Sequence, residues 1–289
     1  MNGTIRFAGH EVGEGRPLLL IAGPCVATTQ DELLSNARRL KALCASRGVP
    51  LVFKASLDKA NRTTTEGYRG PGFAEALGML RAVKREVGIP VLTDVHETAQ
   101  VGPVAEVVDA LQIPAFLCKQ TDLILEAART GKALNVKKGQ FLAPEDMHGV
   151  LQKTRAAGNP NVMLTERGAC LGYHNLVVDM RGLVVMRELG APVCMDATHA
   201  VQRPGASANG RNTGDRQFVA PLARAAAAVG IDALFCEVHE DPRTAPSDGE
   251  NACDFPLLER ILDEVLAVRR ALADCSGPSA SSDPHRGRA

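Results

Sequence analysis

Residues 51–70 read LVFKASLDKANRTTTEGYRG. The opening Leu51-Val52-Phe53 is a short apolar run with no polar face, the pattern of a strand buried on both sides of a parallel sheet. Lys54 sits where that strand should end, and Lys59, Arg62 and Arg69 follow in the loop with Asn61 and three consecutive threonines. Lysine and arginine give charge-assisted hydrogen bonds to phosphate oxygens, so this loop suits a phosphorylated ligand. A solvated basic loop is the bland alternative. The same arrangement, an apolar strand emptying into charged residues, recurs after other strands of the chain.

Outward from this stretch the chain keeps a rhythm. Apolar strand candidates lie at 18–24, 51–55, 91–95, 110–114, 133–137, 162–166, 193–198 and 233–238. Helical patterns lie between and after them, at 31–47, 72–87, 98–108, 121–130, 145–157, 177–189, 216–229 and 256–273. The first helix puts Leu33, Leu34, Ala37, Leu40 and Leu43 on one face, the stripe of an amphipathic helix. Gly48, Gly88, Gly131, Gly158, Gly190 and Gly230 mark helix ends ahead of the next strand. Eight such units predict an α/β fold, a closed (β/α)8 TIM barrel. An open doubly wound sheet fits less well, because the first strand–helix turn, GPCVATTQ, is not a GxGxxG turn. Alternation at Thr4-Ile5-Arg6-Phe7 predicts a short N-terminal β-hairpin. Residues 1–275 are expected to form a single domain, and the Gly/Pro/Ser-rich tail at 276–289 a disordered end.

Composition excludes several classes. Lys+Arg 33 balance Asp+Glu 33, so no overall basic field invites nucleic acid or a membrane. The absence of Trp, with two Tyr and eight Phe, argues against base-stacking platforms. The eight cysteines, none spaced as CxxC, fit free thiols in a reducing cytoplasm. The N-terminal residues carry no signal-peptide core, and no apolar run approaches a membrane span.

In a (β/α)8 barrel the reactive groups gather at the C-terminal ends of the strands. Two sets stand there. The first is cationic: Lys54, Lys59, Arg62, Lys137, Lys138 and Arg167. Lys137 and Lys138 are adjacent on a strand and point to opposite faces, so one of them looks inward. Salt bridges to Glu166, Asp94 or Asp58 are the alternative use of these cations. The second set is Cys25, His199, Glu237 and Asp248, a mixture of soft and hard donors suited to a divalent metal such as zinc or iron. A buried core thiol is the alternative for Cys25, and His239 is a competing ligand.

These residues sit in motifs that carry a resemblance: FKASLDKANRTT, YRGPG, LTDVHE, QIPAFL, QTDL, NVKKGQF, TERGACLGYHNLVVD, DATHAVQ and CEVHEDP. Over roughly residues 17–272 the chain resembles the 3-deoxy-D-manno-octulosonate 8-phosphate synthase family. The resemblance implies a cytoplasmic homotetrameric barrel enzyme. It condenses phosphoenolpyruvate with D-arabinose 5-phosphate and water, releases phosphate, and serves lipopolysaccharide core synthesis. It implies a phosphoenolpyruvate site of Lys54, Ser56, Lys59, Gln112, Lys137 and Arg167. The sugar phosphate would meet Asn61, Arg62 and Thr63, with His96 nearby. Lys59, Lys137, Arg167, His199 and Cys25 would be the catalytic set. The family has a metal-dependent class, with Cys after the first strand, and a metal-free class, with Asn there. Cys25 places this chain in the former, with His199, Glu237 and Asp248 completing a zinc, iron or manganese shell. Carbon 3 of phosphoenolpyruvate would attack the aldehyde and water add at carbon 2, the metal orienting the aldehyde or acidifying the water.

Two positions depart from the family pattern. NRTT stands for the usual NRSS, and Thr63 keeps the hydroxyl with a stiffer side chain. Lys119 in CKQ stands where relatives carry an Arg that reaches the sugar phosphate of a neighbouring subunit. It keeps the charge and loses the bidentate fork. The rival readings are the sister synthase that uses erythrose 4-phosphate, a Schiff-base aldolase built on Lys54 or Lys137, and an inactive phosphosugar-binding barrel.

Overall fold

The computed structural model describes residues 3–62, 67–170, 174–204 and 213–275. Thr63 and the tail from residue 276 lie outside the described residues. Eight parallel strands close a barrel: Leu19–Gly23, Leu51–Lys54, Val91–Asp94, Ala110–Ile113, Ala133–Lys137, Val162–Glu166, Val193–Asp196 and Ala233–Glu237. Each pairs with the next in sequence, and the eighth closes on the first with Glu237 opposite Gly23. The doubly wound alternative is therefore excluded, and Cys25 and Glu237 stand on neighbouring strand ends.

The strands alternate between two cores. Leu19, Ile21, Val52, Leu92, Ala110, Ala133, Met163, Cys194, Ala233 and Phe235 fill the barrel interior. Their chain neighbours Leu20, Phe53, Leu111, Leu134, Leu164 and Leu234 face the surrounding helices. The period of two thus fixes which residue ends each strand facing inward: Lys54, Asp94, Gln112, Asp196 and Glu237 each stand two residues after an inward apolar side chain, and Lys137 two after the inward Asn135. The floor of the barrel is the predicted hairpin, Ile5–Phe7 paired with His10–Val12. Ala8 and Gly9 both turn with positive φ, as a two-residue hairpin requires. Ile5, Phe7 and Val12 join the interior core.

Helix α1 (Gln30–Ala45) begins at Thr29, whose side chain accepts from the Glu32 amide. It buries Leu33, Leu34, Ala37 and Leu40, with Leu43 packed against the same core. The helix expected over 72–87 continues past Ala82 as a π-helical turn, Val83–Val87. The one expected over 177–189 begins later, at Arg181, because the Asp179 carboxylate accepts from the Arg181 amide and fixes the start. Residues 176–177 pair instead with 169–170.

Gly23 ends the first strand where the second crosses closest. A Cβ there would lie 2.1 Å from the Lys54 carbonyl oxygen, so only glycine lets the two strand ends approach at the mouth. After the eighth strand, Cys253 bridges back to Val238, so residues 239–252 form a closed excursion over the mouth. Asp248 lies on it with φ 51°. No helix among the described residues is long and apolar enough to cross a membrane.

Candidate active site

The C-terminal mouth holds a cavity of about 440 Å³. Lys54, Lys59, Asn61, Arg62, Asp94, His96, Gln112, Lys137, Arg167, His199 and Asp248 all contribute to its wall. Of the two adjacent lysines, Lys137 looks inward. Lys138 turns outward to the Gly139 and Leu142 carbonyls and to Glu166, 3.6 Å away. Arg69 is likewise spent, on an exposed pair with Asp58.

Each buried cation is held by a specific neighbour. Lys54 Nζ donates to Ser56 Oγ at 2.6 Å and stands 3.7 Å from Asp94. Ser56 thus reaches the cavity only through Lys54. Burial lowers the Lys54 pKa, and Asp94 opposes it. Lys137 Nζ donates to Asp196 at 2.6 Å and lies 4.1 Å from the centre of the Phe235 ring, a cation–π contact. Arg167 donates to Gln202 Oε1 at 2.6 Å and to the His199 carbonyl at 3.2 Å. Gln140, with its amide oxygen turned to the guanidinium, accepts from both terminal nitrogens at 3.1 and 3.2 Å. Below this layer Gln112 donates to Asn135 and Asn135 to Thr165, a buried chain that holds Gln112 in place.

The second set also assembles. Donor atoms of Cys25, Glu237 and Asp248, all buried, lie within 4.8 Å of one another. Cys25 Sγ donates to Asp248 Oδ2 at 2.9 Å. Burial pushes the Cys25 thiol well up, and Asp248 and Glu237 add to the shift. Glu237 behaves oppositely: burial would raise it, but His199 and Lys59 outweigh that and hold it at about 2. His199 Nε2 lies 3.2 Å and Lys59 Nζ 3.7 Å away, yet among the described residues neither carboxylate oxygen has a hydrogen-bond donor in good geometry. A thiol forced to stay neutral beside two carboxylates, one with orphaned oxygens, fits a bound cation that would turn the thiol into a thiolate. His199 stands beside this trio rather than inside it, with Nδ1 on Asp196 at 2.8 Å and Nε2 toward Glu237. The competing ligand, His239, is excluded: its Nδ1 lies 2.7 Å from the Asp241 carbonyl, and it lines a different cavity.

The DAHP synthetase I family profile matches residues 4–272. The chain belongs to the DAHP synthetase I family. Within it, the chain is 56% identical over 269 residues to a 2-dehydro-3-deoxyphosphooctonate aldolase of Synechococcus sp., covering 93% of this chain and 94% of that one. It is 54% identical over 268 residues to the protein of that name from Trichlorobacter lovleyi, covering 93% and 98%. A Geobacter sp. protein of the same name is 51% identical over 271 residues, covering 93% and 99%.

For a DAHP synthetase I family member, the sequence located most of the wall but not all of it. Lys119 does not line the cavity of its own chain. It is exposed, and its carbonyl accepts from Lys153. Gln140 and Gln202 were missed, although both lie in quoted motifs, because a neutral amide carries no signal of its own. Asp94 stands among the carboxylates expected to pair with these cations, and Lys54 takes it. That Lys137 pairs with Asp196 needed the closed barrel.

Proposed function

We infer that the chain is a 2-dehydro-3-deoxyphosphooctonate aldolase, which joins phosphoenolpyruvate to D-arabinose 5-phosphate with water and releases phosphate. The observation that carries this is one cavity walled by Lys54, Lys59, Lys137 and Arg167 together with Asn61 and Arg62. Phosphoenolpyruvate takes the first set: its phosphate and carboxylate need several cations, and the buried Arg167 Nε has no partner among the described residues. The sugar phosphate takes the Asn61-Arg62-Thr63 segment, with its aldehyde directed toward His96 and the metal trio.

The four buried cations face Asp94, Asp196, Glu237 and Asp248, so side chains alone nearly cancel. Two anionic substrates require further positive charge. A divalent zinc, iron or manganese ion held by Cys25, Glu237 and Asp248, with His199 adjoining, would supply it and would act as a Lewis acid. The chain's own groups do the rest. Lys137 and Arg167 stabilise charge on the phosphate as its bond to carbon 2 breaks. Lys54, held by Ser56, positions the carboxylate. Phe235 and the hydrogen-bonded Gln112 layer keep water out from below.

Lys119 completes the reading as a contact to the sugar phosphate bound by a neighbouring chain in a homotetramer. A monomeric sedimentation mass would contradict that part. The second reading, a four-carbon aldose phosphate as acceptor, is favoured only by the family's printed name. Phosphate release from phosphoenolpyruvate, measured with arabinose 5-phosphate and erythrose 4-phosphate in turn, separates the two. Higher kcat/KM on the five-carbon sugar is expected, and higher kcat/KM on the four-carbon sugar would sink the assignment.

A further inference from the structure

Gln202 occupies an unusual position between the two halves of the site. It follows the short turn His199–Val201 after the seventh strand and is buried, 6% exposed. Its Oε1 accepts from Arg167 Nη2 at 2.6 Å, and its Nε2 donates to Asp248 Oδ1 at 2.8 Å. These partners fix the amide completely. A guanidinium only donates and a carboxylate only accepts, so the amide cannot turn over without losing both bonds. One side chain therefore touches the cation that meets a substrate anion and the carboxylate that meets a metal.

We propose that Gln202 is a positioning residue that links the anion subsite to the metal trio, so that metal binding and phosphoenolpyruvate binding reinforce each other. The inference rests on the reading of the site given above. Its physical basis is positional: two charge-assisted hydrogen bonds in a buried setting tie the Asp248 carboxylate, the Gln202 amide and the Arg167 guanidinium into one ordered chain. A cation that draws on the Asp248 carboxylate fixes the orientation of Gln202, and Gln202 fixes the Arg167 fork. The Cys25 thiol and the Ser247 hydroxyl, both on Asp248 Oδ2, hold the other carboxylate oxygen. Gln202 donates to Oδ1, the atom through which a shift passes. Arg167 keeps the His199 carbonyl and Gln140 as further acceptors. Loss of Gln202 should thus misalign the guanidinium without releasing it.

The test uses full-length protein stripped with chelator. Zinc alone is titrated by calorimetry, then phosphoenolpyruvate with and without zinc. Wild type, Gln202→Met and Gln202→Asn are compared. Methionine fills the volume without polar atoms. Asparagine keeps the amide but is one methylene too short to span both partners, which guards against a misfolded methionine variant. Each lost bond involves a charged group, so zinc affinity and phosphoenolpyruvate affinity should each fall by about tenfold. The tightening of phosphoenolpyruvate by zinc, present in wild type, should shrink in both variants, leaving only the direct attraction between cation and anion. A residue that merely supports the fold would lower the melting temperature and leave this tightening undiminished, and that result overturns the proposal. Wild-type phosphoenolpyruvate affinity indifferent to zinc overturns it as well. Wild type that binds neither probe overturns the underlying reading of the site, a distinct failure.

Discussion

Burial acts against the Lys54 ammonium, and it would also neutralise Asp94 were the two not together. Asp94 is held well below the usual carboxylate range: burial raises it, but Lys54 and then His96 more than reverse that. The His96 imidazole answers in kind. Burial lowers its pKa, and the contact with Asp94, 3.3 Å from Nε2, wins and raises it. A raised folded value means that the pair's stabilisation is fully present below the unfolded histidine pKa of about 6.5 and is lost as pH climbs through the folded value. The His96 ring resonances should therefore titrate above 6.5, and Asp94→Asn should move the midpoint down. A wild-type midpoint at or below the unfolded value contradicts this account of the pair. At this scale the sequence was a fair guide to charged groups and a poor one to neutral ones. Lys54, Lys137 and Arg167 announce themselves because cations at buried strand ends demand a reason. Gln202 does not, since its partners lie 35 and 46 residues away and nothing local marks it.

Elements were legible where periodicity was long and failed where a single side chain decided the boundary. The eight strands and their order followed from apolar runs spaced by amphipathic helices. The late start of the helix Arg181–Glu188 depended on Asp179, one carboxylate on one amide. The hairpin was legible as a hairpin, but not as a floor. Phe7 is fully buried and packs into the interior core with Leu19, Ile21 and Phe235. Phe235 in turn lies under Lys137, so the hairpin supports the site from below. Phe7→Ala should cost about 3–5 kcal/mol of stability, the usual range for emptying a buried aromatic position. Thermal unfolding would read this as a large drop in Tm. A change under about 1 kcal/mol would show that the hairpin is a loose appendage.

For the whole molecule, barrel closure makes the site. Cys25 and Glu237 are more than two hundred residues apart in the chain, and pairing of the eighth strand with the first sets them on adjacent strand ends. The excursion at 239–252 then returns to Val238 and brings Asp248 against the Cys25 thiol. That convergence could be anticipated from a closed barrel, but the exact company could not. His199 bridges Asp196 and Glu237 instead of joining the trio, and His239 turns away to Asp241. The central claim is that the trio binds a divalent metal that the condensation needs. It is tested by elemental analysis of metal content alongside phosphate release from phosphoenolpyruvate and arabinose 5-phosphate, for wild type and Cys25→Ser, before and after chelation. The account predicts about one ion per chain in active wild type, loss of activity on chelation with recovery on adding metal, and a Cys25→Ser protein with little metal and little activity. Wild-type protein that is fully active with no bound metal would contradict it.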